Sequence, residues 1–180
     1  MFSFPGDNFR ITSTLFFANN ASGGGGGLLA DSGSVATLDQ CRFERNVAAT
    51  QGGALFSAGN LTLTASDCVD NSAGDGGAVS VLLTLPHQAV EVRGTSFVNN
   101  SAGRGAVVYV EEAFSIESTV PGTGPLVELS ELWFEGNTAR AGGSIMYWDP
   151  LEMTATTNLP TCINCTDDVA AAGNIAAYAS

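Results

Sequence analysis

Apolar and polar residues alternate in a series of short runs along this chain: Val35-Ala36-Thr37-Leu38, Leu61-Thr62-Leu63-Thr64, Val90-Glu91-Val92 and Leu126-Val127-Glu128-Leu129. Alternation with β-branched residues predicts strands rather than helices. A second set of apolar runs follows glycines: Ala54-Leu55-Phe56, Ala78-Val79, Val107-Val108-Tyr109-Val110 and Ile145-Met146-Tyr147-Trp148. Each unit therefore holds at least two strands with a tight corner between them. No stretch carries a 3.6-residue apolar stripe of helical length, so the chain reads as all-β.

The two kinds of run are joined by a segment that recurs six times, most fully as Phe134-Glu135-Gly136-Asn137-Thr138-Ala139-Arg140-Ala141-Gly142-Gly143-Ser144-Ile145. Its anchors are Asn19, Asn46, Asn71, Asn100, Asn137 and, degenerately, Asp168. Alanine stands two residues after every anchor, and Phe16, Phe43, Cys68, Phe97, Phe134 and Cys165 stand three before. Glycine follows five residues after the anchor at Gly24, Gly76, Gly105, Gly142 and Gly173, and one residue later at Gly52. Anchor spacings of 27, 25, 29, 37 and 31 residues suit a solenoid whose coils carry loops of unequal length. Repeats of two or three strands without a crossover helix stack as a parallel β-helix of about six coils, a rod of about 25–30 Å at ~4.8 Å per coil. A β-sandwich with coincidental turns is the alternative. Alanine in all six copies favours the solenoid.

In such a stack, like residues pile into columns. Asparagine at a bend tolerates the left-handed region and bonds to the amide above or below it. Alanine fits a narrow corner, paired glycines allow positive φ and close backbone approach, and phenylalanines fill the lumen. The Gly23–Gly27 run is the same turn slot overfilled; no lysine follows it, as a phosphate loop would require.

F-x-x-N-x-A followed by G-G-[AS]-[ILV] resembles the polymorphic outer membrane protein repeat. The copies at Phe43/Asn46/Gly52-Gly53-Ala54-Leu55, Phe97/Asn100 and Phe134/Asn137/Gly142-Gly143-Ser144-Ile145 carry the match, which spans roughly residues 10–180. Cys68, Cys165, Gly105-Ala106 and Asp168 depart from it. The resemblance implies a right-handed, pectin-lyase-like parallel β-helix on a cell surface or in an extracellular fibre, serving adhesion or acting as a structural spacer.

The net charge is −12, and all six cations are arginine. That balance excludes nucleic-acid binding through phosphates, which needs a basic patch. It favours solubility over cation binding. No cofactor or metal motif appears, and the calcium-binding nonapeptide pattern is missing. Four cysteines are too few for a disulfide scaffold. Cys162-Ile163-Asn164-Cys165 has no second pair at zinc spacing, so a local disulfide between Cys162 and Cys165 is the expectation. Cys41 and Cys68 fall in successive coils but two residues out of register, so a bridge between them would need local distortion.

Sequons place candidate glycosylation at Asn20, Asn60, Asn99 and Asn164, with Asn20 and Asn99 pointing out of the stack. Met1–Gly6 does not read as a secretory signal, and no run reaches transmembrane length. Without capping elements, residues 1–180 read as a single β-helix segment of a longer chain or assembly, with long loops at 111–125 and 148–160. Both loops follow the post-glycine strand and should project from one side.

Catalytic candidates are thin. Glu91 and Glu128 fall at equivalent strand positions with Arg93 near; Glu111-Glu112 and Asp167-Asp168 read as a solvated turn and as architecture. His87, the only histidine, sits in a proline-marked loop. A threonine ladder through Thr62 and Thr64 breaks at Glu91, Arg93 and Glu128. Tyr147 and Trp148 are the candidate partner-binding aromatics, with Trp148 equally suited to plugging the coil. The sequence thus predicts a non-enzymatic extracellular structural or adhesion module that binds other protein chains, its own or a larger surface assembly, and possibly glycans. The alternative is a polysaccharide-active enzyme or glycan-binding β-helix.

Overall fold

A computed structural model describes residues 2–4, 6–85, 87–112, 126–143, 145–149, 162–163, 166–167 and 175–177; residues 2–4, 112, 148–149 and those after 149 enter as backbone only. The architecture is a parallel β-helix. Three long sheets run along it. The first holds Asn8–Thr12, Val35–Asp39, Asn60–Thr64, Ala89–Arg93, Leu126–Ser130 and Cys162–Ile163. The second holds Leu15–Phe17, Arg42–Glu44, Asp67–Val69, Ser96–Val98, Trp133–Glu135 and Thr166–Asp167. The third runs from Phe2–Phe4 through Leu28–Ala30, Leu55–Ser57, Val79–Leu83, Val108–Glu112 and Met146–Asp149 to Ile175–Ala177. All the long-sheet pairings are parallel and in register, for example Leu61↔Val90 and Phe16↔Phe43.

About four turns are continuous, from Asn8 to Glu112 apart from Pro86; the fifth and sixth levels are present as strands. The six expected coils thus reduce to four complete ones within the described residues. Among those residues no helix is long and apolar enough to cross a membrane.

The period-two runs put Leu38, Leu63, Val92 and Leu129 in one inward column, and Leu28, Leu55, Val79, Val108 and Met146 in another, all buried. Each such side chain contributes roughly 1.5–3 kcal/mol on burial. The aromatic slot forms a third column. Phe16 stacks on Phe43 at 4.6 Å between ring centroids, and Phe97 on Phe134 at 6.0 Å. Cys68 lies between them, fully buried and unpaired, and its thiol is pushed up by desolvation, with Asp67 and Cys41 adding to the shift. Cys41 is also a free thiol.

The corners correct two expectations. The left-handed residue at the second bend is the one before the anchor, namely Ala18, Arg45, Asp70, Asn99 and Gly136, with φ between 52° and 62°. The anchor asparagine instead turns its amide inward, leaving its neighbour to make the bend. At the third bend the positive-φ glycines are Gly25, Gly52, Gly76, Gly105 and Gly143. The first and fifth coils therefore follow the late spacing of Gly52, and the turn glycines are Gly25 and Gly143 rather than Gly24 and Gly142. The glycine after it answers a different need: a Cβ on Gly53 would lie 2.2 Å from the carbonyl oxygen of Gly77.

A further column lies at the first bend. Ser13, Gln40, Ala65, Gly94 and Glu131 have positive φ there. The next residues, Thr14, Cys41, Ser66 and Thr95, each donate a hydrogen bond to the carbonyl two residues back. These side chains add a second hydrogen bond to carbonyls that, at Asp39, Thr64 and Arg93, already accept a backbone N–H from the preceding coil.

Candidate functional site

The anchor residues converge into a single hydrogen-bonded column. Asn19 donates its side-chain N–H to Asn46 Oδ1 at 2.8 Å, Asn46 to Asn71 at 3.0 Å, Asn71 to Asn100 at 3.0 Å, and Asn100 to Asn137 at 3.0 Å. The same oxygens accept the backbone N–H of the preceding asparagine. The second side-chain N–H of Asn46, Asn71, Asn100 and Asn137 goes to the aromatic-slot carbonyl of the coil before, at Phe16, Phe43, Cys68 and Phe97. Each interior amide is satisfied while wholly buried, which makes this column architecture rather than a reactive site. Asp168 lies outside the described residues.

Of the sequons, Asn20 and Asn99 are exposed, as their place beside the anchor requires. Asn60 is half-buried, and its Oδ1 accepts the N–H of Ala89 at 2.9 Å. Asn164 and Cys165 fall outside the described residues, and Cys162 is described only as a strand pairing with Leu129.

Tyr147 is half-buried and stacks on Tyr109 with centroids 5.7 Å apart. The Arg104 guanidinium lies 5.0 Å from the Tyr109 centroid and 5.2 Å from that of Tyr147. It also donates two hydrogen bonds to Asp75, at 2.9 and 2.8 Å. Its pKa is raised by the hydrogen bond to Asp75 above all, against the lowering effect of desolvation. Gln51, which bridges to Asp75 outside the long sheets, donates through Nε2 to Glu111 Oε2 at 2.7 Å across two coils. Ser80 occupies the level between Phe56 and Tyr109, with its buried hydroxyl unpartnered within the protein. The backbone of Trp148 pairs with Val110, and its side chain lies outside the described part. The strands that precede the two long loops, Val108–Glu112 and Met146–Asp149, are direct neighbours; residues 113–125 and 150–160 lie outside the description.

The acidic pair Glu91 and Glu128 stands in register on the first sheet, next to the paired Arg93 and Ser130. Arg93 pairs with Glu131 at 3.2 Å through two nitrogens, and that hydrogen bond raises its pKa. Thr37 extends the Thr62 position by one coil before Glu91 interrupts it. His87 is exposed in a turn. Among the described residues no three His, Cys, Asp or Glu side chains converge as metal ligands.

A groove of about 270 Å³ runs along the outside of the second bend. Its lining includes the hydroxyl residues Ser72, Ser101 and Thr138, each directly after an anchor, with Gly74, Gly103 and Arg140. Ser101 Oγ donates to Ser72 Oγ at 3.1 Å. The site went unread in sequence because the same slot holds Asn20 and Val47 in the first two coils, so no single residue type marks it.

Comparison with protein-family models, with curated proteins and with solved structures gives no match.

Proposed function

We propose that this chain is a non-enzymatic extracellular structural module of the polymorphic outer membrane protein repeat type. It serves as a rigid pectin-lyase-like β-helical segment of a cell-surface, flagellar or cell-wall fibre and joins other protein chains. The observation that carries this reading is the uninterrupted column from Asn19 to Asn137, which ties successive coils into one stiff body. Nothing in that column is poised for chemistry; its polar groups are spent on one another. Leu15 and Phe17 present exposed apolar side chains on the second sheet, a surface that another chain could cover.

The enzyme reading rests on Glu91 and Glu128. Its weakness is that the nearby basic group, Arg93, is an always-charged guanidinium already paired with Glu131, a poor proton acceptor. Electron microscopy of native material is the test. Rods joined end to end support the scaffold; discrete particles that depolymerise acidic polysaccharide transfer the assignment to the enzyme.

A further inference from the structure

The groove on the second bend combines three features that point to a ligand. Its size comes first: about 270 Å³ lies just below the usual range for small-molecule pockets, which suits one or two sugar rings. Its wall comes second. Ser72, Ser101 and Thr138 supply one hydroxyl per coil from backbones that rise ~4.8 Å per coil, the Ser72 and Ser101 oxygens being drawn to 3.1 Å by their hydrogen bond. That rise is on the scale of one pyranose ring along a saccharide chain. A hydroxyl both donates and accepts, so such a row matches the mixed hydrogen-bonding edge of a sugar. Gly74 and Gly103 keep the floor at backbone level beside it.

The third feature is Arg140. Among the described residues, the other five arginines are all engaged: Arg10 with Asp39, Arg42 with Glu44 and Asp67, Arg45 with Glu44 and Asp70, Arg93 with Glu131, and Arg104 with Asp75. Among the described residues Arg140 alone has no carboxylate partner, and it is exposed in the lining of the groove. The acid next to the groove wall, Asp75, is neutralised by its two hydrogen bonds from Arg104. A ligand anion would therefore meet Arg140 without opposing an unpaired Asp75. The remaining net negative charge is screened beyond about 8 Å at physiological salt.

We infer that this groove binds a short oligosaccharide carrying a single anionic group, with Ser72, Ser101 and Thr138 on the ring hydroxyls and Arg140 on the acid. The anion is a carboxylate or a sulfate ester; guanidinium forks fit both. The site lies on the flank of the helix, so it stands whether or not the coils join other chains.

The test is titration of the whole chain with three trisaccharides, one neutral, one with a single uronic acid and one with a single sulfate ester, followed by amide NMR shifts. The expected result is shifts centred on Ser72, Ser101 and Thr138, with the preferred acidic probe bound about tenfold or more tightly than the neutral one. The better of the two acidic probes identifies the anion. Arg140→Gln should erase the preference for acid, and Thr138→Val should weaken all three probes. Arg10→Gln, which changes net charge equally at a distant exposed site, should change nothing. Equal binding of neutral and acidic probes, equal effects of Arg140→Gln and Arg10→Gln, shifts elsewhere, no binding at millimolar concentration, or equal binding of a short acidic peptide would each overturn the inference. None of these outcomes bears on rod assembly, which electron microscopy reads separately.

Discussion

The side-chain oxygen of Asn100 accepts two hydrogen bonds from Asn71, one from its backbone N–H and one from its side-chain amide, both at 3.0 Å. Asn71 in turn receives the same pair from Asn46. Truncating Asn71 therefore strands two buried donors on Asn46 and removes the donor from the Phe43 carbonyl. Unsatisfied buried groups cost about 1–3 kcal/mol each, so Asn71→Ala should destabilise by about 3 kcal/mol or more. Asn20→Ala, at an exposed site, should stay within about 0.5 kcal/mol of the parent. Urea denaturation midpoints of the two variants make the comparison.

Cys68 predicts a pH dependence. Burial raises its thiol pKa in the folded chain, whereas the unfolded thiol titrates near its reference value of about 8.5. Above that pH the unfolded state loses its proton first and the folded state keeps it. The stability due to this group is thus intact below about pH 8.5 and falls as pH rises further, by about 1.4 kcal/mol per unit. Stability measured from pH 7.5 to 9.5 should decline less steeply in Cys68→Val. Parallel pH profiles for the two proteins would refute the assignment.

Two glycines separate space from conformation. A Cβ on Gly53 would lie 2.2 Å from the Gly77 carbonyl oxygen, so Gly53→Ala forces coils apart and should cost more than about 3 kcal/mol. Gly94 has φ +57 but its nearest neighbour to a new Cβ is 3.8 Å away. Its counterparts in other coils are Ser13, Gln40, Ala65 and Glu131, all left-handed. Gly94→Asn should be near neutral, within about 1 kcal/mol, since asparagine visits this region readily. Thermal unfolding of both variants decides the point.

Arg104 joins Asp75 to the Tyr109–Tyr147 stack through a planar group that lysine cannot reproduce. Arg104→Lys should lose about 1 kcal/mol, a modest figure because a third of the arginine side chain is in solvent. A change in the near-ultraviolet tyrosine circular dichroism should accompany it; an unaltered spectrum would separate the arginine from the rings.

What was legible in sequence is what a column writes in one residue type. Asparagine, alanine and phenylalanine each occupy a buried slot whose shape and hydrogen bonding admit little else, so they recur and announce the fold. The bend before each anchor was illegible because its left-handed residue faces outward: Ala18, Arg45, Asp70 and Asn99 share a backbone conformation and no chemistry. The first-bend column hid for a related reason, since Thr14, Cys41, Ser66 and Thr95 are three residue types doing one job. In the first and fifth coils the sequence leaves open which glycine makes the turn, because Gly24-Gly25 and Gly142-Gly143 offer two equivalent letters; positive φ falls on Gly25 and Gly143. The hydroxyl groove spans just three coils and so leaves no full-length pattern.

The β-helix depends most on register between coils, and paired cysteines test that directly. Ser72→Cys/Ser101→Cys places thiols on neighbouring parallel strands about 4.8 Å apart, inside disulfide range, and mild oxidation should close an intramolecular bridge in most molecules. Ser72→Cys/Thr138→Cys spans two coils, roughly twice that distance, and should stay reduced. Cross-linking of the second pair in preference to the first would contradict the columns and the β-helix with them.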